Sequence, residues 1–233
     1  MTWRSVGVLA LAAGLAAPQV ARGQGQDMRP GIAVLPFENG GSYGQDKEAF
    51  DALQVGMQQM LITELAQNGQ LRIVERGRIK DLLAEQDLGA GGRVDANTAA
   101  KIGKLVGAKY MVMGGFIDFY GDMRIDARIV NVETAELVKT VKEQDKREKL
   151  YTLVVSLASD ITKGVNLPAL PRQAMEQRES RQVPTEALTL YSRALLYQDR
   201  GDAQKAAELF TKALDAFPDY TEAKEGLRQV KQG

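Results

Sequence analysis

Residues 31–37 (GIAVLPF) form a short, almost unbroken apolar run, the pattern of a strand buried on both faces. From residue 47 to 67 the period changes: Phe50, Leu53, Met57, Met60, Leu61 and Leu65 recur at intervals of three and four. That spacing predicts a helix burying one stripe, and Asn68-Gly69 ends it because either residue tolerates a left-handed backbone. Residues 71–75 predict a second strand, and residues 76–86 a helix with Ile79, Leu82 and Leu83 inward. A glycine-bearing loop over 87–92 follows. The next helix is capped by Asp95 or Asn97, buries Ala99, Ile102 and Leu105 or Val106, and stops at Gly107.

Residues 109–120 and 123–132 both read as strands, with little more than Gly121-Asp122 between them, so they form an antiparallel hairpin. Gly114-Gly115 inside the first strand predicts a bulge or a close backbone approach. In the second, Met123, Ile125, Ala127 and Ile129 alternate with Arg124, Asp126 and Arg128, giving one buried and one wet face. Residues 131–135 turn the chain, and 137–141 pair back as a third antiparallel strand. The charged segment 142–149 reads as the solvated start of a helix that buries Leu150, Leu153, Val154, Leu157 and Ile161.

Pro168, Pro171 and Pro184 mark a boundary, with a short helix over 172–181 inside it. Beyond it lie two helical patterns, 185–200 and 202–217, split by Gly201, and a capping helix over 221–231. Ala194, Tyr197, Gly201, Ala206, Phe210, Ala213 and Pro218 sit at the spacings of a tetratricopeptide repeat, with Arg193 where that pattern usually has Leu. A single repeat of this kind needs a neighbour to cover its apolar face. The neighbour is residues 172–181, the main domain or another subunit.

The expected fold is therefore α/β (α+β), a mixed β-sheet with flanking helices, plus a small all-α C-terminal domain. Its expected divisions are a signal peptide at 1–23, an α/β domain at 31–164, a proline-containing linker at 165–184 and a tetratricopeptide-like helical domain at 185–233.

Composition adds limits rather than a function. Hydrophobic residues make up 44% of the chain and charged residues 26%, an ordinary globular balance. There is no cysteine and no histidine, which excludes disulfides, thiolate nucleophiles, cysteine zinc sites and histidine-based triads. Arg4 precedes an uncharged, alanine-rich run over 6–17, and Ala21-Arg22-Gly23 places small residues where a signal peptidase reads. Export with cleavage after Gly23 is expected. The run is too short for a stable membrane anchor, and no cysteine is available for lipidation. Losing Arg4 and Arg22 changes the formal net charge from 0 to −2, a balance that does not suit nucleic acid.

No motif supplies chemistry. Residues 39–44 (NGGSYG) lack the Lys-Ser/Thr pair of a phosphate-binding loop. No pair of acids has a spacing that forces them together, and only the fold can decide whether Glu38, Asp118 and Asp122 meet. The expectation is a protein that is not an enzyme, with no catalytic residue, no cofactor and no metal.

Four segments in order, IAVLPF, LRIVERGRIKDLLAEQ, DANTAAKIGKLVGAKYMVMGGF and DARIVNVETAELV, resemble the curli-assembly CsgG family and, more distantly, the amino-terminal domain of TolB. The resemblance covers about residues 31–164. It implies a periplasmic or outer-membrane-associated α/β domain that often assembles into rings. Channel members of that family carry a lipidated cysteine and membrane-barrel hairpins, one of them between the strands that are here 109–120 and 123–132. A membrane strand needs about nine to eleven residues, and Gly121-Asp122 leaves no room for one.

The function this implies is a soluble periplasmic accessory protein of cell-envelope assembly or secretion, acting on a protein or peptide partner. It has no pore, no direct membrane span and no nucleic-acid ligand, and a homo-oligomeric ring remains open. A second reading is a regulator of an envelope enzyme such as a peptidoglycan synthase. A hydrolase is the weakest reading. If the repeat binds through its concave side, Leu188, Tyr191, Leu195 and Gln198 are the candidates; the competing reading packs them on the proline-containing linker.

Overall fold

The computed structural model describes residues 1, 27–42, 47–85, 94–167, 170 and 172–232. The expected signal peptide beyond Met1, the loop at 87–92, and Pro168 and Pro171 lie outside them. A mixed sheet has the order β3-β1-β4-β5-β6, with β2 also paired to β4. β1 (Gly31–Val34) lies parallel to β3 (Arg72–Ile73) on one side and to β4 (Tyr110–Phe119) on the other. β2 (Glu38–Asn39) continues the pairing further along β4, so Asn39, expected in a loop, belongs to a strand. β5 (Asp122–Asn131) and β6 (Leu137–Lys146) complete an antiparallel meander.

The hairpin turn is displaced by one residue from its expected place. Phe119 pairs with Asp122, so the loop is Tyr120-Gly121. Both residues have positive φ, 53° and 94°, as a two-residue type I′ turn requires. The Asp118 carboxylate, fully buried, accepts the Gly121 N–H at 2.9 Å and faces Arg147 at 3.3 Å. Gly114 and Gly115 keep regular register, so no bulge forms there; the irregularity falls at Ile129/Val130. What requires Gly114 is proximity: a Cβ would stand 2.3 Å from the Asp126 carbonyl oxygen and 2.8 Å from the Phe37 ring.

A second correction concerns residues 142–149. They do not begin a helix: β6 runs to Lys146, opposite Asp122, and only Arg147–Lys149 forms a 3-10 turn. Along β6 only Val141 is buried, so no apolar alternation marks the strand. Its ladder to β5 holds it, and its charges suit an edge strand.

Two apolar layers cover the sheet. On one face, α2 (Arg76–Glu85) and α3 (Ala96–Val106) enclose Ala33, Leu35, Met111, Met113 and Val130. The cap of α3 is Asp95, which accepts the Thr98 N–H at 2.7 Å, and Gly107 closes it at φ 66°. Val106 is therefore buried and Leu105 exposed. On the other face lie α1 (Lys47–Leu65) and α4 (Leu150–Gly164), over Ile32, Val112, Phe116, Met123 and Ile125.

The C-terminal helices extend that second layer. α5 (Arg172–Glu179), α6 (Thr185–Asp199), α7 (Ala203–Ala216) and α8 (Thr221–Gln232) follow in order. Leu188, Tyr191 and Leu195 of α6, Phe210 of α7 and Ala223 of α8 belong to the same apolar cluster as Leu53, Met57 and Met60 of α1. The neighbour that covers α6 is thus α1. No described helix is long and apolar enough to cross a membrane.

Candidate functional site

The joint between the α/β unit and the C-terminal helices is closely packed. Gly56 of α1 faces Ser192 of α6, and a Cβ at residue 56 would stand 1.8 Å from the Ser192 Oγ. Charged pairs surround this contact. Arg76 and Lys80, in the first turns of α2, both reach Asp199 at the end of α6, Lys80 at 3.1 Å. Lys80 also donates to the Asp199 carbonyl at 3.2 Å. Two cations at the negative end of a helix dipole are favourably placed. Glu64 of α1, 4% exposed, binds Arg178 of α5, and Arg193 of α6 reaches Glu48 at 3.3 Å.

α8 is fastened by Arg181, which donates to both Glu222 oxygens, at 2.8 and 2.7 Å, and lies over the Tyr151 and Tyr220 rings. Burial is the largest single influence on the Glu222 carboxyl and raises it, but the hydrogen bonds from Arg181, a backbone N–H and Thr221, together with the Arg181 charge, outweigh it and hold the group below its ordinary range. Burial pushes Tyr151, Tyr191 and Tyr220 upward, so all three phenols stay neutral at ordinary pH.

Where these helices diverge they leave a cleft of about 640 Å³. One wall is a polar stripe of α1 continued into the turn after it, Gln59, Thr63 and Gln67. A second is the start of α2 with Glu75, Arg76, Lys80 and Asp81. α6 supplies Tyr191, Leu195, Gln198 and Asp199, and α8 supplies Thr221, Glu222, Glu225 and Gln229. Gly226 of α8 also lines it, and its bare backbone lets the Phe210 ring approach to 2.4 Å of where a Cβ would be.

Of the four residues named from sequence, Leu188, Tyr191 and Leu195 are 1%, 4% and 4% exposed. Tyr191 and Leu195 nevertheless line the cleft floor beside Gln198, whereas Leu188 packs beneath it with Met60 and Tyr220. The walls from α1, α2 and α8 were absent from that set. Their one readable sign was the polar side of α1 at residues 59, 63 and 67, an ordinary wet helix face when taken alone. The carboxylates at 118 and 122 are engaged elsewhere, Asp118 with Arg147 and Asp122 with Lys146 at 2.5 Å. No cluster of three metal-ligating side chains occurs among the described residues.

The model of the family described as curli production assembly/transport component CsgG matches residues 16–124. No curated protein matches the chain. Among solved structures, the LpoB C-terminal domain from Escherichia coli is 19% identical, with a TM-score of 0.40, over 51% of this chain and 83% of that one. Lipoprotein GNA1162 from Neisseria meningitidis is 14% identical, with a TM-score of 0.40, over 58% of this chain and 96% of that one. TolB from Acinetobacter baumannii is 13% identical, with a TM-score of 0.37, over 60% of this chain and 28% of that one. The family match ends inside β5, so α6 and α8 of the cleft lie outside it. Residues 16–124 are thus similar to the CsgG family, and that stretch contributes α1 and α2 to the cleft.

Proposed function

We propose that this protein is an exported accessory factor of cell-envelope assembly or secretion that works by holding another protein. The observation that carries this reading is the cleft: helices outside the family match are locked by ion pairs onto α1 and α2 and enclose, with them, a polar space. The family description, curli production assembly/transport, supplies the envelope setting. The Tyr120-Gly121 turn joins β4 to β5 directly, which supports a role away from the hairpin pore of channel members. In this reading α6 and α7 are a single tetratricopeptide repeat whose apolar face is covered by α1, leaving its polar edge for the partner.

Incorporating a photo-crosslinking amino acid at Gln198, in the intact chain in its own cells, tests the reading. The expected result is a discrete adduct with an envelope protein. Absence of any adduct from Gln198, Gln59 and Gln229 alike sinks it. Light scattering on the purified protein separates a ring from a regulator that binds its target one to one.

A further inference from the structure

The chemistry of the cleft wall restricts what can occupy it. Among the described residues five carboxylates line it, Glu75, Asp81, Asp199, Glu222 and Glu225, against two cations, Arg76 and Lys80. Among the described residues, the ion pairs of both cations are with Asp199 alone. Glu222 and Glu225 have Arg181 and Arg228 beside them, whereas Glu75 and Asp81 make no ion pair among the described residues.

The neutral groups repeat the bias. Gln67 donates its amide N–H to the Thr63 carbonyl, Gln229 donates to Glu225, and Gln59 reaches the Thr63 hydroxyl at 3.5 Å. Among the described residues no hydrogen bond ends on the amide oxygens of Gln59, Gln67, Gln198 or Gln229, so these acceptors are unspent. Tyr191, 4% exposed, lines the same space, and its hydroxyl makes no hydrogen bond among the described residues. A wall rich in carboxylate and amide oxygens matches a ligand rich in N–H donors and positive charge. It repels phosphate and other polyanions. A glycan is a poor match, because Tyr191 is the single aromatic among the described lining residues and is itself buried, so they present no stacking platform.

We propose that the cleft binds an extended basic segment of a polypeptide, its backbone N–H groups meeting the glutamine oxygens and its Lys or Arg side chains meeting Glu75, Asp81 and Glu225. The volume of about 640 Å³ falls within the range of about 300–1,000 Å³ typical of ligand clefts. This assignment rests on the reading that the protein holds another protein, and it names the chemistry of the held segment.

The test is fluorescence anisotropy on the full chain with two labelled peptides, one alternating Lys and Ala, the other Glu and Ala. The basic peptide should bind and the acidic one should not. Affinity should fall about tenfold or more in the triple variant Glu75→Gln/Asp81→Asn/Glu225→Gln, and also as salt screens the pairs. Equal binding of both peptides, no binding of the basic one, or an unchanged triple variant overturns the proposal. Free spermidine displacing the basic peptide at the peptide's own concentration also overturns it, since charge alone would then suffice. An unchanged melting temperature in the triple variant shows that the fold is intact. If the Gln198 crosslink forms in cells and survives the triple variant, the basic-segment assignment fails while the holding function stands. If it never forms, the holding function itself fails.

Discussion

Gly56 and Ser192 touch across the joint of α1 and α6 so closely that a Cβ at residue 56 would stand 1.8 Å from the Ser192 Oγ. Gly56→Ala would ordinarily strengthen a helix by about 1 kcal/mol through propensity. Here overpacking, typically about 1–3 kcal/mol, opposes that gain and is expected to win. Urea denaturation should show Gly56→Ala destabilised, and Ser192→Gly should restore much of the loss when combined with it. A Gly56→Ala protein as stable as the parent would mean that α6 does not seat on α1 as described.

Asp199 holds two cations of unequal worth. The Arg76 side chain is 12% exposed, whereas that of Lys80 is 46% exposed. Asp199→Asn leaves Arg76 with its charge uncompensated in a largely buried place and should cost about 1–3 kcal/mol. Lys80→Gln removes a solvated partner and should cost under about 1 kcal/mol. Equal losses in the two variants would contradict the ranking.

The Arg181–Glu222 pair makes stability depend on acid. Because the folded Glu222 carboxyl lies below its ordinary value of 4.5, its contribution is present above that value and lost as pH falls through the lower folded one. The phenols around it do not titrate there, since burial raises Tyr191 and Tyr220. Thermal melts from pH 6 down to about 3 should show a drop that Glu222→Gln makes shallower. A Glu222→Gln variant with the parent's acid profile would assign the drop to other groups.

Tyr120 occupies a left-handed position where Asn or Gly is the usual choice. Its ring meets that of Phe119 edge-on at 5.1 Å, but both residues are exposed. Relief of backbone strain should exceed the lost ring contact in Tyr120→Asn, raising stability by about 0.5–1 kcal/mol and the melting temperature by a few degrees. A lowered melting temperature would show that the ring pair carries more than the strain.

The helices were legible because each carries its own period and stop signals. Phe50, Leu53 and Met57 mark α1, and Asp95 and Gly107 bracket α3. The far half of β6 was not legible. Its alternating charges lack an apolar face, and its conformation comes from hydrogen bonds to a partner strand that the local sequence does not reveal. The cleft was unreadable for a related reason. Gln59, Lys80, Gln198 and Gln229 lie far apart along the chain, each is an ordinary solvent-facing residue on its own helix, and only tertiary packing makes them neighbours. The residues named from sequence, Leu188, Tyr191, Leu195 and Gln198, all lie on α6, because a spacing resembling a tetratricopeptide repeat drew attention to that helix alone.

β6 ends the sheet with a ten-residue strand, long enough to template another chain. Lys139, Lys142, Glu143, Asp145 and Lys146 crowd it with charge, and pairing with another chain would strip water from these groups. The strand that closes this side of the sheet thus carries its own chemical guard against recruiting another chain.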